Sequence, residues 1–324
     1  MRTLSIASAV MLLSSALMGV AQADETKKVA IVVMSDTPQL LEVRDGILKG
    51  LKERGYVEGK NLKVDFKSAQ ANFGTAQQIA RQFVGDKPDV IVPITTPCSQ
   101  AVAAATKEIP VIFSTVTDPV AAKIVPKFDK PGGNISGVAD PVPIEQMLNT
   151  MKELVPNLKK LGFVYDPSLP NSIVTTKAIK ELAPKLGIET VDSPAMGLNN
   201  VPAAGQALVG KVDAIYVPND TTVYAVFESL VKVAQDGKVP LFSSERRSVE
   251  RGAVATIGLD FVRMGVETAV MVDKVLKGAK PGDLDVLDMT KLPDALSLYL
   301  NKNAAEKMGV TIPPEMLKRA AHVY

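Results

Sequence analysis

The stretch Pro93–Val102, PITTPCSQAV, ends an apolar run with two threonines and a proline and then continues in a helical pattern. The same arrangement recurs where IVVM (31–34) meets SDTP (35–38) and where VIF (111–113) meets STVTDP (114–119). Each predicts a buried strand followed by Thr or Asp as a helix N-cap, with proline at the first helical position. Capping alone would explain any one of these turns, but their repetition favours a shared rim at one edge of a sheet.

Short β-type runs alternate with amphipathic helical stretches outward from these turns. Alternation of this kind predicts a parallel sheet with helices on both faces. The predicted strands of the first half are Val29–Met34, Leu62–Phe66, Val90–Ile94, Val111–Phe113 and Ile135–Val138.

The second half of the chain repeats the plan of the first half. GKVDAIYVPNDT (210–221) echoes DKPDVIVPITTP (86–97), GKVPLFSSE (237–245) echoes KEIPVIFST (107–115), and RGAVATIGLD (251–260) echoes GGNISGVADP (132–141). The repetition predicts two similar α/β lobes with a boundary at DPVP (140–143). We expect the N-terminal lobe to comprise residues 27–139 and 261–291, and the C-terminal lobe residues 140–260 and 292–324.

Residues 1–23 have a basic start, an apolar segment and an Ala-Gln-Ala end, which predicts a signal peptide cleaved after Ala23. No cysteine lies near the cleavage site, so we expect no lipid anchor and free diffusion in a bacterial periplasm. We also expect the protein to be a monomer. The net charge of +2 is spread along the chain and indicates no nucleic-acid partner. Cys98 is the single cysteine of the sequence, so no internal disulfide can form.

Polar side chains follow the predicted strands of both lobes, where open parallel sheets bind ligands. A helix N-terminus near Thr96 would favour an anionic group, and the carboxylates could receive a cation, so together they suit a zwitterion. Each residue also has a simpler interpretation as a cap, a turn former or a packing residue. The candidate ligand-binding residues are Ser35, Asp36, Thr95, Thr96, Thr115, Asp118, Tyr165, Asn171, Asn219, Asp220, Ser244, Glu245 and Asp260.

The sequence gives little support to an enzyme. The only histidine, His322, lies three residues from the end, and Cys98 has no plausible base beside it, although a position in the first turn of a helix could make it reactive. The sequence contains no metal-ligand cluster and no nucleotide-binding loop. We therefore predict no catalytic residue, no metal and no cofactor.

Several longer stretches resemble ABC-transporter substrate-binding proteins of the tryptophan/tyrosine type, and the similarity covers nearly the whole mature chain. They include GLKERGYVEGKNLKVDF (50–66), TAQQIARQFVGDKPDVIV (75–92), ATKEIPVIFSTVTDPVAAKIV (105–125) and ERGAVATIGLDFVRMG (250–265). The resemblance implies a type I periplasmic-binding-protein fold, with two Rossmann-like lobes, parallel sheets, three crossovers and a hinge. By position, the family's cleft falls on Thr95, Thr96, Thr115, Asp118, Asn219, Asp220, Glu245 and Asp260.

The resemblance also implies delivery of a solute to a membrane permease driven by a separate ATPase. The expected solute is small and polar or zwitterionic, with amino acids, including aromatic ones, as candidates. Where the family commonly has Asp-Thr-Ser, this chain has Glu245-Arg246-Arg247. An arginine that points into the cleft would favour an anionic ligand, whereas arginines that face solvent would leave the zwitterion prediction unchanged. The main alternative function is a periplasmic sensor subunit that presents the solute to a receptor.

Overall fold

A computed structural model describes residues 26–324, so the predicted signal peptide lies outside the described residues. Among residues 26–324, no helix has both the length and the apolar character that a membrane span requires. The strands are β1 (Lys27–Val33), β2 (Leu62–Ser68), β3 (Val90–Ile94), β4 (Val111–Val116), β5 (Ile135–Ala139), β6 (Lys160–Tyr165), β7 (Glu189–Pro194), β8 (Ala214–Val217), β9 (Leu241–Ser243), β10 (Ala255–Leu259), β11 (Leu287–Asp288), β12 (Leu296–Leu300) and β13 (His322–Val323).

The helices pack on both faces of the sheets, as the alternation of apolar runs predicts. They are α1 (Pro38–Glu53), α2 (Phe73–Asp86), α3 (Thr96–Ala105), α4 (Ile144–Leu154), α5 (Pro170–Leu182), α6 (Val201–Gln206), α7 (Thr221–Ala225), α8 (Phe227–Gly237), α9 (Arg246–Glu250), α10 (Phe261–Leu276), α11 (Lys302–Lys307) and α12 (Pro314–Arg319).

Two sheets with the same central topology form the fold. The first has the order β11-β5-β4-β3-β1-β2, and the second has the order β13-β12-β10-β9-β8-β6-β7. The central strands of each sheet, β1–β5 and β6–β10, follow one plan and pair in parallel, whereas β12 adds antiparallel to β10. This arrangement confirms the predicted pair of similar lobes with parallel sheets.

The repeated aspartates of the two halves have the same structural role. Asp89 Oδ2 accepts a hydrogen bond from the backbone N–H of Lys28 at the start of β1 (2.6 Å). Asp213 Oδ2 accepts one from the backbone N–H of Lys160, which begins β6 (2.8 Å). The sequence echo therefore reflects a repeated contact that holds the first strand of each lobe against the chain entering its third strand.

The chain passes between the sheets three times, after β5, after β10 and between β11 and β12. After the second passage, α10 packs closely along α1. The contact requires glycine on both helices, because a Cβ on Gly46 would lie 2.2 Å from the carbonyl oxygen of Val262, and one on Gly265 would lie 2.1 Å from that of Val43. The close helix pair anchors the start of α10, and with it Phe261, beside the carboxyl ends of the strands.

One of the three predicted strand–cap–helix turns is wrong. β1 and β3 lead into α1 and α3, with Thr37 and Thr95 at the N-cap positions, although neither side chain makes a capping hydrogen bond. β4 leads into turns instead, although Asp118 Oδ1 accepts bonds from the N–H groups of Val120 and Ala121 as a cap would. Lys123 adopts a left-handed backbone with φ of 57°, which ends the helical turn. Pro126 follows three residues later, so a regular helix cannot continue.

Candidate functional site

A cavity lies between the two sheets, at the carboxyl ends of strands from both of them. Its volume is about 40 Å³, which leaves room for only a few water molecules. The two lobes therefore lie close together around it, and an amino acid needs them to stand further apart, both to enter and to be held. The lining residues are Gln39, Leu40, Thr95, Thr96, Thr115, Thr117, Asp140, Asn171, Asn219, Asp220, Thr221, Tyr224, Glu245 and Phe261.

The structure brings together, in this cavity, candidate residues from both halves of the chain. The side chains of the two lobes also contact one another there, because Asn219 Nδ2 lies 3.3 Å from Thr117 Oγ1. Asn219 Nδ2 also lies 3.5 Å from Oδ2 of Asp140, at the boundary between the lobes. The candidates that line the cavity are Thr95, Thr96, Thr115, Asn171, Asn219, Asp220 and Glu245.

The remaining candidates do not line the cavity. Asp36 lies in an open groove beside it, where Oδ2 accepts a bond from Gln70 Nε2 (2.6 Å), and Ser35 lies in the same groove. The hydroxyl of Ser244 bonds to that of Tyr216 (2.5 Å). Tyr165 is buried at the end of β6, where burial and the nearby Asp192 raise the pKa of its hydroxyl.

Two of the outlying candidates cap local structure. Asp260 Oδ1 accepts the N–H of Arg263 (3.0 Å) and so caps α10. Asp118 holds the turn after β4 through the N–H groups of Val120 and Ala121. For these residues the simpler interpretation of the sequence, capping without ligand contact, describes the contacts that the structure shows.

Asp220 and Glu245 line the cavity, but both of their carboxylate oxygens are already engaged. Asp220 Oδ1 accepts the N–H of Val223, and Oδ2 accepts the N–H of Asp166 and the hydroxyl of Ser172. Glu245 accepts the N–H groups of Arg247 and Ser248 at the start of α9. Burial raises the pKa of Asp220 to about 6 and that of Glu245 to about 7, because its effect exceeds that of these hydrogen bonds, which lower the pKa. Both carboxylates therefore position backbone at the cavity wall.

Sequence reasoning missed Asp140, which is the least satisfied carboxyl group of the cavity. It is 5% exposed, and its Oδ1 has no hydrogen-bond partner among the described residues. Burial raises the pKa of this carboxyl to about 8, although its own N–H and the Thr117 hydroxyl lower it. A signal was present in the sequence, because Asp140 follows β5 just as the candidate Asp260 follows β10.

Other side-chain oxygens of the cavity are also buried without a partner in the described part of the chain. They include Gln39 Oε1 at the start of α1, Thr96 Oγ1 at the start of α3 and Asn171 Oδ1 at the start of α5. Buried polar groups are nearly always hydrogen-bonded, and leaving one unpaired costs about 1–3 kcal/mol. Several such groups in one cavity indicate a site shaped for a polar ligand.

The cavity also has an apolar wall, whose residues are not among the candidates identified from the sequence. Leu40 of α1, Tyr224 of α7 and Phe261 of α10 contribute it. The three residues come from helices of both lobes, so their proximity depends on how the lobes face one another. Rings with an apolar body suit the flat side chain of an aromatic ligand.

Two threonines of the cavity have unusual backbone conformations. Thr95 has φ of 91° and Thr115 has φ of 57°. A β-branched residue rarely adopts a positive φ, and such strain concentrates at ligand sites. The Thr95 conformation leads into α3, whose first N–H groups have no intrahelical acceptor and can bind an anion.

Cys98 lies in the first turn of α3 but is fully buried. Burial raises the pKa of its thiol to about 12, although a hydrogen bond with Thr95 lowers it. A helix N-terminus lowers the pKa of a thiol, but the loss of solvent around Cys98 raises it by more. The thiol therefore stays protonated and is not a reactive nucleophile.

Neither arginine of Glu245-Arg246-Arg247 lines the cavity. Arg246 Nη2 donates to Glu42 Oε2 (2.6 Å), and Arg247 Nε donates to Glu42 Oε1 (2.9 Å). Glu42 is on α1, which packs on the first sheet, while both arginines begin α9 beside the second sheet. The two sequence-based alternatives, a cleft clamp or solvent exposure, are thus both wrong, because the arginines pair with the opposite lobe.

The fold and the cavity define a class, the two-lobed proteins that bind a small solute between their lobes. The model of the family described as "ABC transporter substrate binding protein" matches residues 28–324. The chain belongs to this family, whose members are solute-binding proteins and not enzymes, are typically extracellular or periplasmic, and work with a membrane transporter. The same fold occurs in solute-binding proteins of much lower sequence identity.

Similar proteins include one that is named for its ligand and two with solved structures. A tyrosine-binding protein of Clostridioides difficile is 38% identical over 82% of this chain and 78% of its own length. An ABC domain from Streptococcus pneumonia, crystallised with L-Trp, is 34% identical with a TM-score of 0.88, over 93% of this chain and 100% of that one. A ligand-free, open substrate-binding protein of Clostridium difficile is 35% identical with a TM-score of 0.70, over 92% and 99%.

The two structural relatives differ in how well they superpose on this chain although their identities are nearly equal. The better match is to the structure that holds a ligand, and the poorer match is to the open one. This difference agrees with the small cavity, since both indicate lobes that are closed on one another.

Proposed function

We propose that this protein is the periplasmic solute-binding component of an ABC importer and that it captures an aromatic amino acid between its lobes. It delivers the amino acid to a membrane permease driven by a separate ATPase. The observation that carries the proposal is the closed cavity, in which unpartnered buried oxygens face an apolar wall. The tryptophan and tyrosine ligands named for similar proteins support the same substrate class.

Different residues of the proposed site hold the carboxylate and the side chain of the amino acid. The carboxylate of the amino acid is bound by the Thr96 hydroxyl and the first N–H groups of α3, and its side chain packs on Tyr224 and Phe261. Asn171, Asn219 and Thr115 complete the wall. The lobes that close on the ligand comprise residues 27–139 with 261–291 and residues 140–260 with 292–324, and the protein acts as a monomer.

Identification of the bound solute tests this function. The protein purified from periplasm without added ligand is examined by native mass spectrometry, and the released small molecule is identified. We expect tryptophan, tyrosine or phenylalanine, and calorimetric titration of the ligand-free protein with the same amino acid should give one site per chain. A sugar or an organic anion as the only bound solute would contradict the proposal.

The location is tested separately by the intact mass of the periplasmic protein. A cleaved signal peptide gives a chain that begins at Asp24 and carries no lipid. A retained leader or an acyl adduct would contradict periplasmic release, without bearing on the ligand.

A further inference from the structure

Asp140 differs from the other acidic residues of the cavity in having a carboxylate oxygen left over. Its Oδ1 has no partner among the described residues, and its nearest amide contact, Asn219 Nδ2, is at 3.5 Å from Oδ2. Asp220 and Glu245 use both oxygens on backbone and hydroxyl donors. Of the three carboxyl groups, Asp140 is the one free to bind a donor from a ligand.

No basic residue among those described lines the cavity to balance this carboxylate. The other titratable groups there are Asp220, Glu245 and Tyr224, which are all acidic, and the contributions of α1, α3 and α10 are uncharged. Arg246, which follows Glu245 in the chain, is paired with Glu42 and does not balance the charge of the cavity. A buried carboxylate without a counter-charge is unfavourable, so burial raises the pKa of Asp140 to about 8. A cation on the ligand would supply the missing charge.

The two ends of an amino acid therefore meet unequal partners. Its carboxylate meets neutral donors, the Thr96 hydroxyl and the N–H groups at the start of α3, in a cavity that already holds three carboxyl groups. Its ammonium group meets the Asp140 carboxyl, whose Oδ1 has no partner among the described residues and which becomes ionised as the cation binds. The contact with Asp140 joins two groups of opposite charge, whereas the ligand carboxylate meets only neutral donors and is repelled by the ionised carboxyl groups of the cavity.

We infer that Asp140 binds the ammonium group of the ligand and makes that group, and not the carboxylate, the obligatory feature of the substrate. The inference rests on the proposed function and narrows it. It means that the site binds aromatic monoamines and does not bind the corresponding acids, which lack the amino group. Because the amine is protonated at pH 7, its binding keeps Asp140 ionised and displaces the proton that the buried carboxyl otherwise holds.

Three matched ligands test the inference on the ligand-free protein: L-tryptophan, tryptamine, which lacks the carboxylate, and indole-3-propionate, which lacks the amino group. Calorimetry should show that tryptamine binds about thirtyfold or more tightly than indole-3-propionate. Equal or tighter binding of the acid would overturn the inference while leaving the proposed function intact. If neither tryptophan, tyrosine nor phenylalanine binds, the proposed function fails and the inference fails with it.

The Asp140→Asn substitution assigns the effect to one residue while keeping its shape. The variant should lose about thirtyfold in affinity for tryptophan, with no loss for indole-3-propionate. Titration in two buffers of different ionisation enthalpy should show native protein releasing up to one more proton per ligand at pH 7 than the variant. Asp236→Asn removes the same charge from the exposed face of α8 and should match the native protein. Unchanged affinity and unchanged proton release in Asp140→Asn, with a native-like melting curve, would overturn the inference.

Discussion

Glu42 and Arg246 form an ion pair across the cleft, with Arg246 Nη2 donating to Glu42 Oε2 at 2.6 Å. Arg247 donates to the other oxygen of the same carboxylate. The pair lies outside the cavity lining, and its side chains are only 15% and 20% exposed. It therefore joins the two lobes without contacting the proposed ligand, and it favours the closed arrangement.

Replacement of Glu42 by glutamine should shift the protein toward the open form. A partly buried pair of this kind contributes about 1–2 kcal/mol, which corresponds to roughly five- to thirtyfold in ligand affinity. Small-angle scattering of the ligand-free variant should give a larger radius of gyration, and the ligand should dissociate faster. Glu153→Gln is the matched control, because Glu153 pairs with Arg319 and has no contact with Glu42 or its arginine partners. Native-like scattering and affinity in Glu42→Gln would show that the pair does not hold the lobes together.

The buried carboxyl groups predict how stability depends on pH. Burial raises the pKa of Asp140 to about 8, of Glu245 to about 7 and of Asp220 to about 6. A carboxyl whose pKa is higher in the folded than in the unfolded state stabilises the fold below its unfolded pKa, and this stability is lost as pH rises through the folded value. Ligand-free protein should thus become less stable from about pH 4 to about pH 8, by up to about 1.4 kcal/mol per pH unit for each group.

Urea unfolding between pH 4 and pH 9 measures this dependence. The Asp140→Asn variant should show a flatter curve and should be more stable than the native protein at pH 8, because the buried charge is absent. A free energy of unfolding that rises across the same interval in the native protein would contradict the raised pKa values.

Asp220 should matter for folding as well as for binding. Its carboxylate joins the start of α7 to the end of β6 through the N–H groups of Val223 and Asp166. Asp220→Ala leaves these donors and the Ser172 hydroxyl unpaired, so it should lower the free energy of unfolding by about 2 kcal/mol or more. Asp118→Ala removes a similar cap from a partly exposed turn and should cost less. Loss of ligand affinity in Asp220→Ala without loss of stability would instead assign the residue a direct ligand contact.

Cys98 should be chemically inert in the folded protein. Burial raises the pKa of its thiol to about 12, so almost none of the reactive thiolate is present near pH 7. Intact-mass measurement after treatment with iodoacetamide should show no adduct under native conditions and one adduct after unfolding in denaturant. Rapid modification of the native protein would contradict the burial of this side chain.

The fold could be predicted well from the sequence because its signals are local. β3 begins and ends at the predicted residues, since a continuous apolar run with flanking Pro and Asp residues marks it. The turn after Asp118 was mispredicted because the left-handed residue Lys123, which ends the helical turn, has no distinctive sequence pattern.

The site could be predicted only in part because it depends on contacts between distant segments. Thr95 and Asn219 follow strands and are visible as rim residues in the sequence. Asp140 looks only like part of a lobe boundary, because nothing local shows that it lies near Asn219, and Phe261 looks like the start of a core helix. The partner of Arg246 is Glu42, about two hundred residues away in the chain, and no local pattern links them.

A crystal structure of the protein with L-tryptophan would show the ligand contacts themselves. We expect one tryptophan between the lobes, with its amino group within hydrogen-bond distance of Asp140 Oδ1. Its carboxylate should lie at the start of α3 beside Thr96, and its ring should pack on Tyr224 and Phe261. A tryptophan bound outside this cavity, or bound with its carboxylate against Asp140, would contradict the account.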